Sequence, residues 1–190
     1  MTNDLVPIET VSWQELQQYV YEVDGSWRDI YVLNATRADW KTWAGFVNAN
    51  YRVEFFDDEG TQHNQLDFAA MEYLWDSHGQ ANMLTAHCFV GALVVNCHFF
   101  RDDELENDLD PSKITSCAVH QQLMDYLTRL SLALGKEVVL TWENDTPERC
   151  SPNWVWHPLL AVNGEQVQVQ AYWRKPAAPG AVQNASISTS

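Results

Sequence analysis

The sequence predicts an α+β fold: a single layered domain over residues 1–175, with helices packed on a mixed, largely antiparallel sheet, followed by a disordered tail over 176–190. Three observations carry this expectation. Helix-capping signals followed by apolar residues at helical spacing alternate with short runs of β-forming residues. A long apolar run broken by Gly91 reads as a hairpin, which a fully parallel sheet would not contain. Finally, 190 residues that are 46% hydrophobic, with nine Trp, seven Tyr and seven Phe, suffice for one substantial core but are short for two.

The elements follow in chain order. Ser12 with Glu15 three residues later is a capping box, and Trp13, Leu16, Val20 and Val23 then share a face, which predicts a first helix over 12–23. After the turn signal Asp24 and Gly25, DIYVL at 29–33 reads as a buried strand. Thr36 and Asp39 repeat the capping arrangement ahead of Trp40, Trp43, Ala44 and Val47, the spacing of a second helix whose tryptophans belong to the core. YRVEFF at 51–56 is a strand ending in the turn DDEG at 57–60, and LDFAAMEYLW, with Phe68, Met71 and Trp75 in register, is a third helix.

Residues 83–100, MLTAHCFVGALVVNCHFF, are rich in strand formers and turn near Gly91. The run RDDELENDLD at 101–110 then reads as an exposed acidic loop. Ser116 precedes the strongest helical stripe, Val119, Leu123, Leu127, Leu130 and Leu134, closed by Gly135. EVVLTW at 137–142 is the next strand. Residues 144–164 read as an ordered loop anchored by Trp154 and Trp156, and QVQVQAYW at 166–173 as a last alternating strand.

Charge narrows the functional classes. The formal net charge is -15, and the acidity lies in the body: residues 1–100 hold 4 basic and 14 acidic residues, 101–150 hold 5 and 11, and 151–190 hold 2 and 1. Such a surface repels nucleic acid and anionic membranes, so no direct contact with either is expected, and a partner should be basic. The start MTNDLVPIE shows no basic region leading into an apolar stretch, and no run approaches a membrane span, so a cytoplasmic location is expected. There the four cysteines, Cys88, Cys97, Cys117 and Cys150, should be reduced and serve as small core residues.

Chemistry-bearing patterns are few. His87 and Cys88 with Cys97 and His98 offer a zinc ligand set by type, but neighbours on a strand point to opposite faces, so at most two could converge, and no metal is expected. The acidic run lacks the spacing and tight-turn glycine of a calcium loop. No nucleophile elbow, P-loop, dinucleotide fingerprint or zinc-protease motif occurs, so neither an enzyme nor a cofactor is expected. Cys150 and His157 are close in sequence, which alone does not make a dyad. His120 reads as a surface residue of the long helix, and Trp27, Trp142, Trp154 and Trp156 fit no helical stripe.

Two segments carry a family likeness. RDIYVLNATRADWKTWAGFVNANYRVEFF at 28–56 resembles the strand–helix–strand opening of small bacterial immunity proteins, which protect a cell against polymorphic toxins delivered by contact-dependent inhibition or type VI secretion. LTRLSLALGKEVVLTWEN at 127–144 resembles a segment towards the end of such proteins. The likeness spans roughly 28–144 and implies a stoichiometric inhibitor of one cognate toxin, with no catalytic residues to transfer.

The likeness agrees with the charge argument: carboxylates of an inhibitor can occupy a cationic groove built for phosphate. The interface candidates are Asp102, Asp103, Glu104, Glu106, Asp108 and Asp110, with Asp57, Asp58 and Glu59 as a second acidic edge. A buried aromatic or aliphatic anchor is also required for tight binding, and the sequence does not single one out. The alternatives are an acidic adaptor or nucleic-acid mimic acting on a cellular protein, and an enzyme of unrecognised class. Oligomeric state is not encoded in any pattern found.

Overall fold

The protein, described here from a computed structural model, is defined over residues 5–32, 34–145 and 158–174. Strands β1 (Leu5–Pro7), β2 (Arg28–Val32), β3 (Arg52–Phe56), β4 (Gln62–His63), β5 (Thr85–Val90), β6 (Leu93–His98), β7 (Leu105–Leu109), β8 (Val138–Trp142), β9 (Leu160–Asn163) and β10 (Gln166–Gln170) form one open sheet in the order β1-β10-β9-β8-β2-β7-β6-β5-β3-β4. Every pairing among these strands is antiparallel, so the parallel strands allowed for in a mixed sheet do not occur among the described residues. Helices α1 (Trp13–Glu15), α2 (Arg37–Asn50), α3 (Phe68–Asp76) and α4 (Cys117–Leu134) cover one face of this sheet, and the main core lies between the two layers. The expected α+β layered domain is what forms.

Local chemistry explains most boundaries. The Thr36 hydroxyl accepts from Asp39 N (3.3 Å) while the Asp39 carboxylate accepts from Thr36 N (2.8 Å), so two of the free N–H groups at the start of α2 are satisfied reciprocally. Trp40, Trp43, Ala44 and Val47 are all buried, and Trp40 packs edge-on against Trp43 with ring centroids 5.2 Å apart. Ser116 caps α4 through Val119 N, and Leu123, Leu127 and Leu130 are completely buried along it. Gly135 ends α4 in the left-handed conformation at φ 62°, which favours glycine. Gly91 turns the β5–β6 hairpin at φ 59°, and a Cβ there would lie 2.2 Å from the Gln122 side chain of α4.

The first helix is shorter than expected. Its Ser12–Glu15 capping box is present, but α1 passes straight into a π-turn, Leu16–Val20, and stops, with Tyr21 N donating to Leu16 O. The cause lies at the head of β2. Arg28 is fully buried and spends its guanidinium on main-chain carbonyls: Nε donates to Val20 O (2.9 Å), Nη2 to Glu22 O (2.7 Å) and Nη1 to Trp27 O (3.0 Å). It stacks on Trp142 of β8 at 4.2 Å, and its nearest carboxylate, Asp24, is 3.6 Å away. The five N–H groups of arginine thus stand in for the helix that is not continued.

Three further segments differ from the sequence reading. The acidic run is not a loop, because its second half is β7, bonded to β2 on one side and β6 on the other. Leu105, Asn107 and Leu109 alternate into the core with no exposed surface, and burial of those positions outweighs the charge between them. The stretch to 164 contains β9, which hairpins into β10 through Gly164; Trp154 and Trp156, like Cys150, His157 and the tail, lie outside the described residues. The last strand ends at Gln170. Tyr172 and Trp173 instead gather on Tyr19, with Trp173 stacked on it at 4.6 Å, and Arg174 is ion-paired with Glu15 at 3.0 Å.

The remaining corrections concern single residues. Cys88 and Cys97 are core residues whose burial pushes both thiols up, Cys88 to about 12, but Cys117 is exposed at the start of α4. His120 is not a free surface residue: its Nδ1 lies 2.8 Å from the buried Tyr21 hydroxyl, and burial lowers its pKa.

Arg28 gives the fold its first test. Arg28→Lys keeps the charge but cannot serve three carbonyls in one plane, and loss of about 2 kcal/mol or more in urea unfolding is expected. Unchanged stability would show that the carbonyl clamp does not hold the first segment.

Candidate functional site on the helix-free face of the sheet

Strand alternation sends a distinct set of side chains to the face that no helix among the described residues covers, where Tyr31, Val139 and Ala161 form a small buried cluster of their own. In β2 these are Asp29 and Tyr31; in β7, Glu106 and Asp108; in β6, Val94, Asn96 and His98; in β5, His87 and Phe89. Antiparallel register then sets Asp29 directly opposite Asp108 and Tyr31 opposite Glu106, while His98 pairs with Glu106 from the other side. Like charges facing each other across a ladder destabilise it, so this juxtaposition needs compensation.

Hydrogen bonds supply part of it. His98 Nε2 lies 2.6 Å from Asp108 Oδ2, and Asn96 Nδ2 donates to Asp108 Oδ1 at 2.6 Å. Asn96 Oδ1 is in turn 2.9 Å from His87 Nδ1, so the row runs from Asp108 across β6 to β5. The Asp108 carboxylate raises the pKa of His98 against the opposing effect of burial. Asp29, nearly buried, accepts from Asn144 N at 2.7 Å and from the Tyr31 hydroxyl at 3.1 Å on the same oxygen, Oδ2.

The Tyr31 hydroxyl also lies 3.3 Å from Glu106 Oε1. A phenol has one hydrogen and can donate to only one of these oxygens at a time. The second contact is a hydrogen bond when that carboxyl holds a proton and donates to the phenol oxygen. Asp29 Oδ2 already accepts from Asn144, which leaves Glu106 as the better proton holder. Burial, followed by the charge of Asp29, raises the pKa of Glu106, and burial, with the charges of Asp108 and Glu143, raises that of Asp29. No basic side chain bonds to Asp29 or Glu106 among the described residues.

The sequence-derived candidates divide. Glu106 and Asp108 belong to this cluster, and the charge of Glu104 is felt by Tyr31 and Glu106. The others have local work. Asp102 accepts from Nε of Arg37 at 2.8 Å while Nη2 of the same guanidinium holds Asp76, and Arg101 grips Asp103 through two hydrogen bonds of 2.8 and 2.9 Å. Asp110 caps a short 3-10 turn through Ser112 N and lies 3.7 Å from Lys113. The second edge is structural as well: Asp57 accepts from Glu59 N and Thr61 N and pairs with His63 at 2.7 Å, the Asp58 carbonyl accepts from Asn82, and Glu59 is exposed. That turn sits at the far edge of the sheet, so the two acidic groups do not form one surface.

Sequence reasoning missed Asp29, Tyr31, Asn96 and the sheet-face role of His87 and His98. Strand alternation separates the four zinc-type side chains: Cys88 and Cys97 point into the core while His87 and His98 point away from it. Among the described residues, no group of three or more His, Cys, Asp or Glu side chains is arranged to hold a metal ion. Trp27 is partly exposed, and Trp142 lies beneath Arg28.

No protein-family model matches the chain, and no curated protein or solved structure does. No helix among the described residues is long and apolar enough to cross a membrane.

Both carboxyls have folded-state pKa values above their ordinary ones. Their stabilisation is therefore complete below the ordinary carboxyl range and is lost as pH rises through the raised values. Glu106→Gln carries an amide N–H where the acid carries its proton. It should match the parent protein in acidic buffer and melt about 2 °C or more above it at neutral pH. An equal loss at both pH values would contradict the shared-proton arrangement.

Proposed function

We propose that the chain is an immunity-type inhibitor, which binds one cognate bacterial toxin stoichiometrically in the cytoplasm and neutralises it by protein–protein contact. The observation that supports this reading is the sheet face on which half-buried Glu106 and Asp108 crowd against buried Asp29, with the exposed ring of Phe100 close by. Partly desolvated carboxylates attract cationic groups more strongly than the same charges on a solvated loop. A basic partner would relieve the repulsion that His98 alone only partly offsets, which makes binding and charge neutralisation the same event. The overall charge of -15 adds long-range steering towards such a partner.

Compared with the sequence-based expectation, the emphasis moves from the loop to the sheet. Asp102, Asp103 and Asp110 are committed to Arg37, Arg101 and a local turn, so they contribute less net charge to a partner. Phe100, 59% exposed beside Asp102 and Asp103, supplies the aromatic anchor that charge alone could not. The pairing of proton-sharing carboxyls with a histidine would also suit acid–base catalysis, and that is the second reading.

Co-expression tests the proposal. If a neighbouring reading frame encodes a basic toxin domain, cells producing that domain should survive only when the chain is present, and the purified pair should associate more slowly as salt rises. Death in both cases would remove the inhibitor reading.

A further inference from the structure

Asn163 is the one asparagine of the chain that is followed by glycine. That dipeptide is the most reactive setting for an asparagine side chain, because glycine leaves the next main-chain nitrogen unshielded. The pair stands where β9 turns into β10: Asn163 faces Gln166 across the ladder, and Gly164 and Glu165 form the two-residue loop. Gly164 has φ 59° and Glu165 does not share its positive φ, which makes this a type II′ turn with glycine in the first place. The Asn163 side chain is exposed, so water reaches its amide.

A buried hydroxyl holds the other reacting group. The Gly164 N–H donates to Ser131 Oγ at 2.9 Å, and Ser131, buried in the last turn of α4, donates its own hydrogen to Lys136 O at 2.6 Å. One side chain thus ties the hairpin tip to the C-terminal end of the helix, as donor to one side and acceptor from the other. The tip also sits close to the helix, where a Cβ on Gly164 would meet Leu132 at 3.7 Å.

Deamidation requires the Gly164 nitrogen to lose its hydrogen and attack Asn163 Cγ. The new N–Cγ bond forms, the Cγ–Nδ2 bond breaks, and ammonia leaves with the hydrogen. Water then opens the five-membered imide to an aspartyl or isoaspartyl residue. Two features of the fold oppose the attack: the N–H is engaged by Ser131, and the extended backbone at the end of β9 turns the nitrogen away from Cγ. We infer that Asn163 is a spontaneous modification site of this chain, deamidated through Gly164, and that the Ser131 hydroxyl restrains the reaction in the folded protein. This is independent of the inhibitor reading. The consequence reaches the sheet, because an isoaspartyl link adds a methylene to the main chain. It disturbs the register that buries Val162 and Val169, and β10 in turn carries β1.

Peptide mass mapping of the full chain, aged in mildly alkaline buffer, tests the site. In urea, where the Ser131 contact is lost, Asn163 should be the first asparagine to convert. In the folded parent protein the same conversion should run about tenfold slower, as expected of a reaction that waits for local opening. Ser131→Ala should accelerate it about fivefold, the weight of one hydrogen bond. A further measurement needs no variant: the Gly164 amide should exchange slowly with deuterium although it stands at a hairpin tip. Earlier conversion of another asparagine in urea, or equal rates in the folded and unfolded chain, would overturn the inference. So would a folded Ser131→Ala protein no faster than the parent, or a Gly164 amide that exchanges within seconds.

Discussion

Strand β7 has to satisfy two demands that oppose each other. Its place between β2 and β6 requires Leu105, Asn107 and Leu109 to be buried under the helices, and the period of two then fixes where Glu106 and Asp108 must go. They cannot leave the sheet without dragging the core positions with them. A slip of one residue would relieve the charge but would bury both carboxylates in the apolar core, which is far more costly. The carboxylates therefore stay on the helix-free face, opposite Asp29 and Tyr31.

The rest of that face follows from accommodating them. His98 hydrogen-bonds to Asp108, Asn96 and His87 extend the hydrogen-bonded row, and Asn144 with Tyr31 satisfies Asp29. Arg28, one residue before Asp29 and on the opposite face, does the corresponding job inside the core, where it closes the first segment with carbonyl contacts rather than a strong ion pair. The single strand β2 thus presents a buried cation to one layer and a buried anion to the other. Its central place, bonded to β7 and β8, ties the two halves of the sheet together.

How much of this could be read from the chain depended on the range of the interaction. The caps at Thr36 and Ser116, the tryptophan spacing in α2, the leucine stripe of α4 and the glycines at 91 and 135 are local signals, and each produced the element it implied; the Ser12 box capped its helix but did not set its length. The π-turn after α1 depends on Arg28 reaching back to Val20, and the Tyr21–His120 contact spans 99 residues, so neither has a local signature. In β7 the signal was present as L-x-N-x-L, but Asn107 stood where an aliphatic residue would have shown the period and the acidic count pointed to solvent. The sheet-face cluster was the least legible part. Asp29 and Asp108 are neighbours only because of strand order and register, which no short segment encodes.

Amide hydrogen exchange at residues 105–109 addresses the placement of β7 most directly. If the strand lies in the middle of the sheet, amides of this segment that bond to β2 and β6 should exchange only through global unfolding, as slowly as those of β8. Exchange in seconds across the segment would mean that the acidic run is a solvated loop, and the carboxylate face built on it would not exist.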